Sequence, residues 1–140
     1  MLFRDPGKSG ALFSKCRKYR YLLTRTWSEE YSKILCVMLN PSTADEVNND
    51  PTVTRMITRS KRLGYGGIWV CNLFAFRATD PRKMKAQADP VGILNDKIIL
   101  NYAKKAATVF VGWGSHGAHM GRSHILRIKM KKAGISPYIN

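Results

Sequence analysis

Acidic residues stop at Asp96. The chain has nine of them against 24 Lys and Arg, a net charge of +15, and the stretch after Asp96 carries eight basic residues: Lys97, Lys104, Lys105, Arg122, Arg127, Lys129, Lys131 and Lys132. So one-sided a field argues for a polyanionic partner, nucleic acid first and an anionic membrane surface second. Long apolar runs are also lacking: nothing approaches the roughly 20 residues that span a bilayer. The opening "MLFRDPGKSG" has no apolar signal-peptide core. A soluble, cytoplasmic protein that does not engage a membrane is the expectation. Cysteine is sparse. Cys16, Cys36 and Cys71 include no close pair, which argues against a disulfide framework. Cys36 and Cys71 stand in apolar runs, whereas Cys16 lies among cations in "SKCRKYR", where a thiol pKa falls. Repeats and low-complexity segments are absent, and 140 residues suit one domain.

What is present reads as alternating strands and helices. Residues 1–10, with Pro6, Gly7, Ser9 and Gly10, offer little to pack and are expected to be a flexible N-terminus ahead of a single domain over 11–140. "ALFSKCRKYRYLLTRTW" suits two short antiparallel strands. "ILCVML", "GIWVCNLF" and "TVFVGW" are near-continuous apolar runs, as expected of strands covered on both faces. Asp50-Pro51 supplies an N-cap and a first helical residue. Val53, Met56, Ile57, Ser60 and Leu63 follow at helical spacing, and Gly64 ends that helix. Asp89-Pro90 repeats the cap ahead of Val91, Leu94, Ile98, Ile99 and Tyr102. "RSHILRIKMKKAG" is a basic helix ended by Gly134, and "ISPYIN" suits a fourth strand. The alternation predicts an α/β three-layer sandwich with a small, mainly parallel four-stranded sheet.

In "KILCVMLNPSTADE" a buried strand runs straight into a polar, rigid turn. In open parallel sheets ligands bind beyond the carboxyl ends of the strands, and here each such end is polar. The first carries Asn40, Ser42, Thr43 and Asp45. The second carries Asn72, Phe74, Phe76, Arg77 and Asp80. The third carries Trp113, Gly114, Ser115, His116 and Gly117. One shared pocket is expected, and its inventory suits a nucleobase. Asparagine pairs with base edges, aromatic faces such as Phe74 or Trp113 stack on bases, and main-chain N–H groups of small-residue turns hold phosphate or a developing anion. Plainer readings compete. Asn40-Pro41 makes a turn, one of Phe74 and Phe76 is expected in the core, and Gly-Ser-His-Gly is a common loop. A metal site of His116, His119 and His124 lacks nearby cysteines or acids. A Ser42, His116, Asp45 triad lacks a nucleophile elbow.

"MLNPSTAD", "DPT", "GYGG", "NLFAFRATDP", "DPVG-x-x-ND" and "WGSHG" occur in this order. Together they resemble domain-of-unknown-function family 1643, a bacterial and phage family, from about residue 11 to about residue 128. That family in turn resembles a branch of the uracil-DNA glycosylase superfamily, whose fold is a parallel four-stranded sheet between helices. The resemblance implies a base-excising enzyme. Asn40 stands where the superfamily has its water-activating Asp or Asn, and Asn72 where it has the base-reading Asn; Phe74 or Phe76 takes the stacking role. On this reading Asn40, Ser42 and His116 are the catalytic candidates, and Asn72, Phe74, Phe76 and Trp113 the base-binding ones. Thr43, Ser115, Arg77, Arg122, Arg127 and Lys129 are expected to bind phosphate. The superfamily's histidine-bearing last motif has only Ser136-Pro137 as an echo, so the site is completed differently, as by His116, or binding has outlived catalysis. The expected partner is nucleic acid, DNA ahead of RNA, or a nucleotide, with no cofactor and no metal. The alternatives are a non-catalytic DNA- or RNA-binding protein on the same scaffold and a phage or bacterial modified-nucleotide enzyme.

Overall fold

The computed structural model describes residues 5–139. They form one mixed sheet with helices on both faces. In chain order the elements are β1 (Ser9–Phe13), β2 (Arg20–Thr26), β3 (Lys33–Met38), α1 (Pro51–Arg62), β4 (Gly67–Asn72), α2 (Pro81–Lys85), α3 (Asn95–Lys105), β5 (Thr108–Val111), α4 (Arg122–Lys132) and β6 (Tyr138–Ile139). A 3-10 segment, Ser115–Gly121, leads into α4. The sheet order is β1-β2-β4-β3-β5-β6.

This corrects the expected four-stranded, mainly parallel sheet. β4, β3, β5 and β6 do run parallel. The hairpin of β1 and β2 then adds two strands, because β2 pairs antiparallel with β4, Leu23 opposite Val70 and Thr26 opposite Gly67. β2 is buried along nearly its whole length, so it is an interior strand and not a surface flap.

Alternation along β3 divides the core. Leu35 and Val37 pack with Ile98, Ile99 and Tyr102 of α3 and Leu126 and Met130 of α4. Ile34 and Cys36 face Val53 of α1 on the other side. Asp50 caps α1 as the Asp-Pro pair predicts, its carboxylate accepting from Val53 N at 2.9 Å. Leu63, expected on the buried stripe, is 73% exposed, because the helix has ended at it.

Two further elements depart from expectation. Asp80-Pro81 starts the short helix α2 within a stretch read as loop. Asp89-Pro90 starts no helix. Asp89 accepts from Val91 N and Gly92 N in a tight turn, and Gly92 sits at φ +89°, so α3 begins only at Asn95. A side chain at Gly92 would also meet the Tyr21 ring 2.8 Å away. The flexible N-terminus expected over 1–10 lies partly outside the described residues, and Ser9 and Gly10 belong to β1. Among the described residues no helix is long and apolar enough to cross a membrane.

Candidate functional site

The carboxyl ends of β3 and β4 lie side by side, Met38 opposite Asn72. The pairing continues beyond the strands, with Leu73 N donating to Met38 O at 2.8 Å and Phe74 N to Leu39 O at 3.0 Å. Asn40 then ties its loop to the neighbouring one. Its Nδ2 donates to Ala78 O at 2.8 Å, and Ala78 N donates back to Pro41 O at 2.9 Å. The result is a cavity of about 50 Å³ whose polar wall is made of Arg20, Asn40, Ser42, Asp50, Thr52 and Asn72. A water takes about 30 Å³ in the liquid, and small-molecule sites run to roughly 300–1,000 Å³. The cavity therefore has room for a water or the edge of a ring and not for a whole small molecule.

Arg20 is the unusual member. It is 2% exposed, and burial pushes its guanidinium down to about 10, against the opposing field of Asp50. Nη1 donates to Ala44 O at 3.1 Å and Nη2 to Asn72 Oδ1 at 3.2 Å, while Nε has no partner. An irregularity in the β1–β2 ladder explains its aim. Leu12 pairs with Leu22 but Phe13 with Arg20, so Tyr21 is skipped. Such a bulge re-aims the next side chain, here toward the Ala44 turn. Asp50 holds that turn from the far side, Oδ2 accepting from Ala44 N at 3.2 Å.

The backbone behind Asn72 is clamped. Asn95, wholly buried at the start of α3, donates through Nδ2 to Asn72 O at 2.8 Å and Leu73 O at 3.1 Å. Arg122 donates to Leu73 O at 3.0 Å and pairs with Asp96 at 2.6 Å, and Lys129 reaches the same carboxylate at 2.6 Å. Burial alone would raise the Asp96 carboxyl; the bonds from Arg122 and Lys129 outweigh it and hold the group below its ordinary range. The "ND" of the fifth motif is thus the clamp that fixes the base-reading candidate.

The structure brings Asn40, Ser42 and Asn72 together, with Thr43 exposed on the same loop. It does not bring the third strand end to them. His116 is exposed, its Nδ1 2.8 Å from Lys85 Nζ. Ser115 is exposed beside it. Trp113 is buried in the core on the α4 side, with the Arg127 guanidinium 5.4 Å from its ring centroid. Phe74 is fully buried against the ring of His119, which leaves Phe76, half-buried beside Tyr19, as the accessible aromatic. Arg77 lies by Phe76, over the Phe13 ring. Arg122 is buried and fully engaged, so its guanidinium is not presented to a phosphate; Lys129 shares Asp96 with it. Burial pushes the thiols of Cys36 and Cys71 up to about 12, whereas a hydrogen bond with Ser14 lowers that of exposed Cys16.

Sequence reasoning missed Arg20 and gave Asp50 only a capping role. The signal for Arg20 was a charge inside the apolar stretch "YRYLLTRTW", where a strand side chain has nowhere polar to go unless a polar site receives it.

The model of the family described as a protein of unknown function, DUF1643, matches residues 20–139. No curated protein and no solved structure matches the chain.

Proposed function

The chain belongs to the DUF1643 family, and on that premise we propose that it recognises a nucleic-acid base or nucleotide at the carboxyl rim of its sheet, most concretely as a uracil-DNA glycosylase-like, base-excising enzyme. The observation that carries this reading is the cavity in which the amides of Asn40 and Asn72 meet the Asp50 carboxylate. The four parallel strands with helices on both faces support the likeness in fold.

In this reading the target base leaves its stack and rests at the cavity mouth, between the Asn40 loop and Asn72. Asn72 Nδ2 donates to an acceptor on the base edge. Asn40 and the main-chain N–H groups of Ser42 and Thr43 position a water. An amide is a poor general base, and Asp50 is the carboxylate in the same cavity. The water oxygen bonds to the sugar carbon as the C–N bond breaks. The water's proton passes to Asp50, and the base departs with the bonding pair and is then protonated. Half-buried Arg77 and exposed Arg127 hold phosphates. The test is release of free base from an oligonucleotide, read as alkali-labile abasic sites, with loss of release on Asn72→Ala.

One observation favours a second reading, a non-catalytic nucleic-acid binder. His116, the candidate to assist the departing base, is engaged by Lys85 and lines no part of the cavity. A binder holds oligonucleotides with steep salt dependence and generates no abasic product. A modified-nucleotide enzyme would instead prefer the free nucleotide to the strand.

A further inference from the structure

We propose that a second nucleotide unit binds next to the cavity, in the cleft between the chain leaving β4 and helix α2, and that the ligand is therefore a strand and not a free nucleotide. This deepens the base-recognition reading and rests on it. The cleft measures about 450 Å³, and its walls include Phe76, Arg77, Ala78, Thr79, Lys83 and Gln87. That volume lies in the roughly 300–1,000 Å³ range of small-molecule sites.

The chemistry of the walls is that of a nucleotide receptor. The Phe76 ring is held edge-on by Tyr19, centroids 5.7 Å apart at 78°. A fixed aromatic face stacks on any base. Arg77 is steadied by the Phe13 ring at 4.6 Å and by the Arg17 carbonyl at 3.3 Å, and among the described residues no carboxylate pairs with it. Lys83 is exposed, and no acid among the described residues takes its ammonium. Two cations free of ion pairs among the described residues, Lys83 within the field of the Asp80 carboxylate, stand beside an aromatic face and the Thr79 hydroxyl and suit a phosphate and its base. Gln87 donates to Lys83 O at 3.2 Å, which leaves its amide oxygen for a polar group of the ligand.

The cleft and the cavity share a wall. Ala78 lines the cleft, and its carbonyl and N–H are the groups that bind Asn40 and Pro41 at the cavity. The two sites are thus separated by one residue's backbone, so a base at one and its neighbour at the other belong to one continuous chain.

The experiment is an amide-resolved NMR titration of the whole chain with tetrathymidylate, thymidine monophosphate and inorganic phosphate. Tetrathymidylate is expected to shift the amides of Thr79, Lys83 and Gln87 together with those of Asn40, Ser42, Thr43 and Ala44, and to bind at least about tenfold more tightly than the mononucleotide, since the second contact is intramolecular. Phe76→Leu is expected to weaken tetrathymidylate about tenfold by removing the stacking face. The exposed Lys83→Gln is expected to lower the salt slope by about 0.7, one single-strand phosphate. Shifts limited to Asn40, Ser42, Thr43, Ala44 and Asn72, with Lys83→Gln silent, would overturn the cleft and leave base recognition standing. Equal affinity for mononucleotide and tetranucleotide would overturn the strand. No shift with any of the three would overturn both readings.

Discussion

Arg20 Nη2 donates to Asn72 Oδ1 at 3.2 Å, and this contact decides which way the Asn72 amide faces. A guanidinium only donates, so the atom turned to it is the amide oxygen. Asn72 Nδ2 is left for the cavity, and the site reads its ligand with a donor. Arg20→Lys keeps the charge but loses the fork that spans Ala44 O and Asn72 Oδ1. The variant is expected to bind oligonucleotides at least about tenfold more weakly, from the loss of a charged hydrogen bond worth about 1.5–3 kcal/mol, and to discriminate poorly between bases. Unchanged base preference would mean that Asn72 orients itself without Arg20.

Asp50 caps α1, holds the Ala44 turn and supplies the cavity's carboxylate, and substitutions separate these jobs. As the cap of α1 it accepts from Val53 N, and Asn caps about as well as Asp. As the carboxylate of the cavity it has no amide equivalent. Asp50→Asn offers one oxygen to the two N–H groups of Val53 and Ala44, so it is expected to lose about 1 kcal/mol of stability while base release falls at least about 100-fold, the usual worth of a positioned general base. Asp50→Ala should lose the activity and about 2 kcal/mol of stability, the cap and the Ala44 bond together.

The basic helix α4 contains two kinds of arginine. Arg122 is buried on Asp96 and Leu73 O, and Arg127 is exposed beside Trp113. Breaking a buried pair by removing one partner costs about 3–5 kcal/mol, so Arg122→Ala should lower the denaturation midpoint sharply. Arg127→Ala should leave that midpoint nearly unchanged, weaken all oligonucleotides alike and flatten the salt dependence of binding. Urea melts and salt titrations of the two variants distinguish the roles.

Acid should act through Asp96. Its folded carboxyl lies below the ordinary 3.8, because Arg122 and Lys129 outweigh the effect of burial. A group depressed in this way contributes stability that is complete above the unfolded value and is lost as pH falls through the folded one. The midpoint of the native chain is expected to drop as pH falls below about 3.8. Asp96→Asn should start lower at neutral pH and decline less over the same interval. Parallel declines in thermal melts across that interval would remove Asp96 from the account.

Much of the fold was legible because its signals are local. The parallel strands announce themselves as apolar runs, and Asp50-Pro51 and Gly134 mark helix ends through side-chain and backbone chemistry confined to a few residues. The six-stranded sheet was not legible, since β2 adding to the β4 edge is a pairing between distant segments that leaves no periodicity in either. The start of α3 was misread for a different reason. Asp89-Pro90 has the composition of a cap, but Gly92 takes a left-handed conformation that the rings of Tyr19 and Tyr21 leave room only for glycine to adopt. At the site, the polarity of Asn40 and Asn72 at strand ends was visible, whereas Arg20 was hidden among surface cations until the bulge at Tyr21 turned it inward. Trp113 and Phe74 look like stacking platforms in a sequence and are core residues in the fold.

The most direct test of the central claim is an abasic-site assay. The protein is incubated with labelled single- and double-stranded oligonucleotides carrying uracil, thymine opposite guanine, hydroxymethyluracil or damaged adenine, and then treated with alkali. Strand breaks at one of these bases, lost on Asn40→Ala, Asp50→Asn and Asn72→Ala, are the expected result and would name the base. Tight, salt-sensitive binding with no breaks on any substrate would contradict excision and leave a nucleic-acid binder on this scaffold.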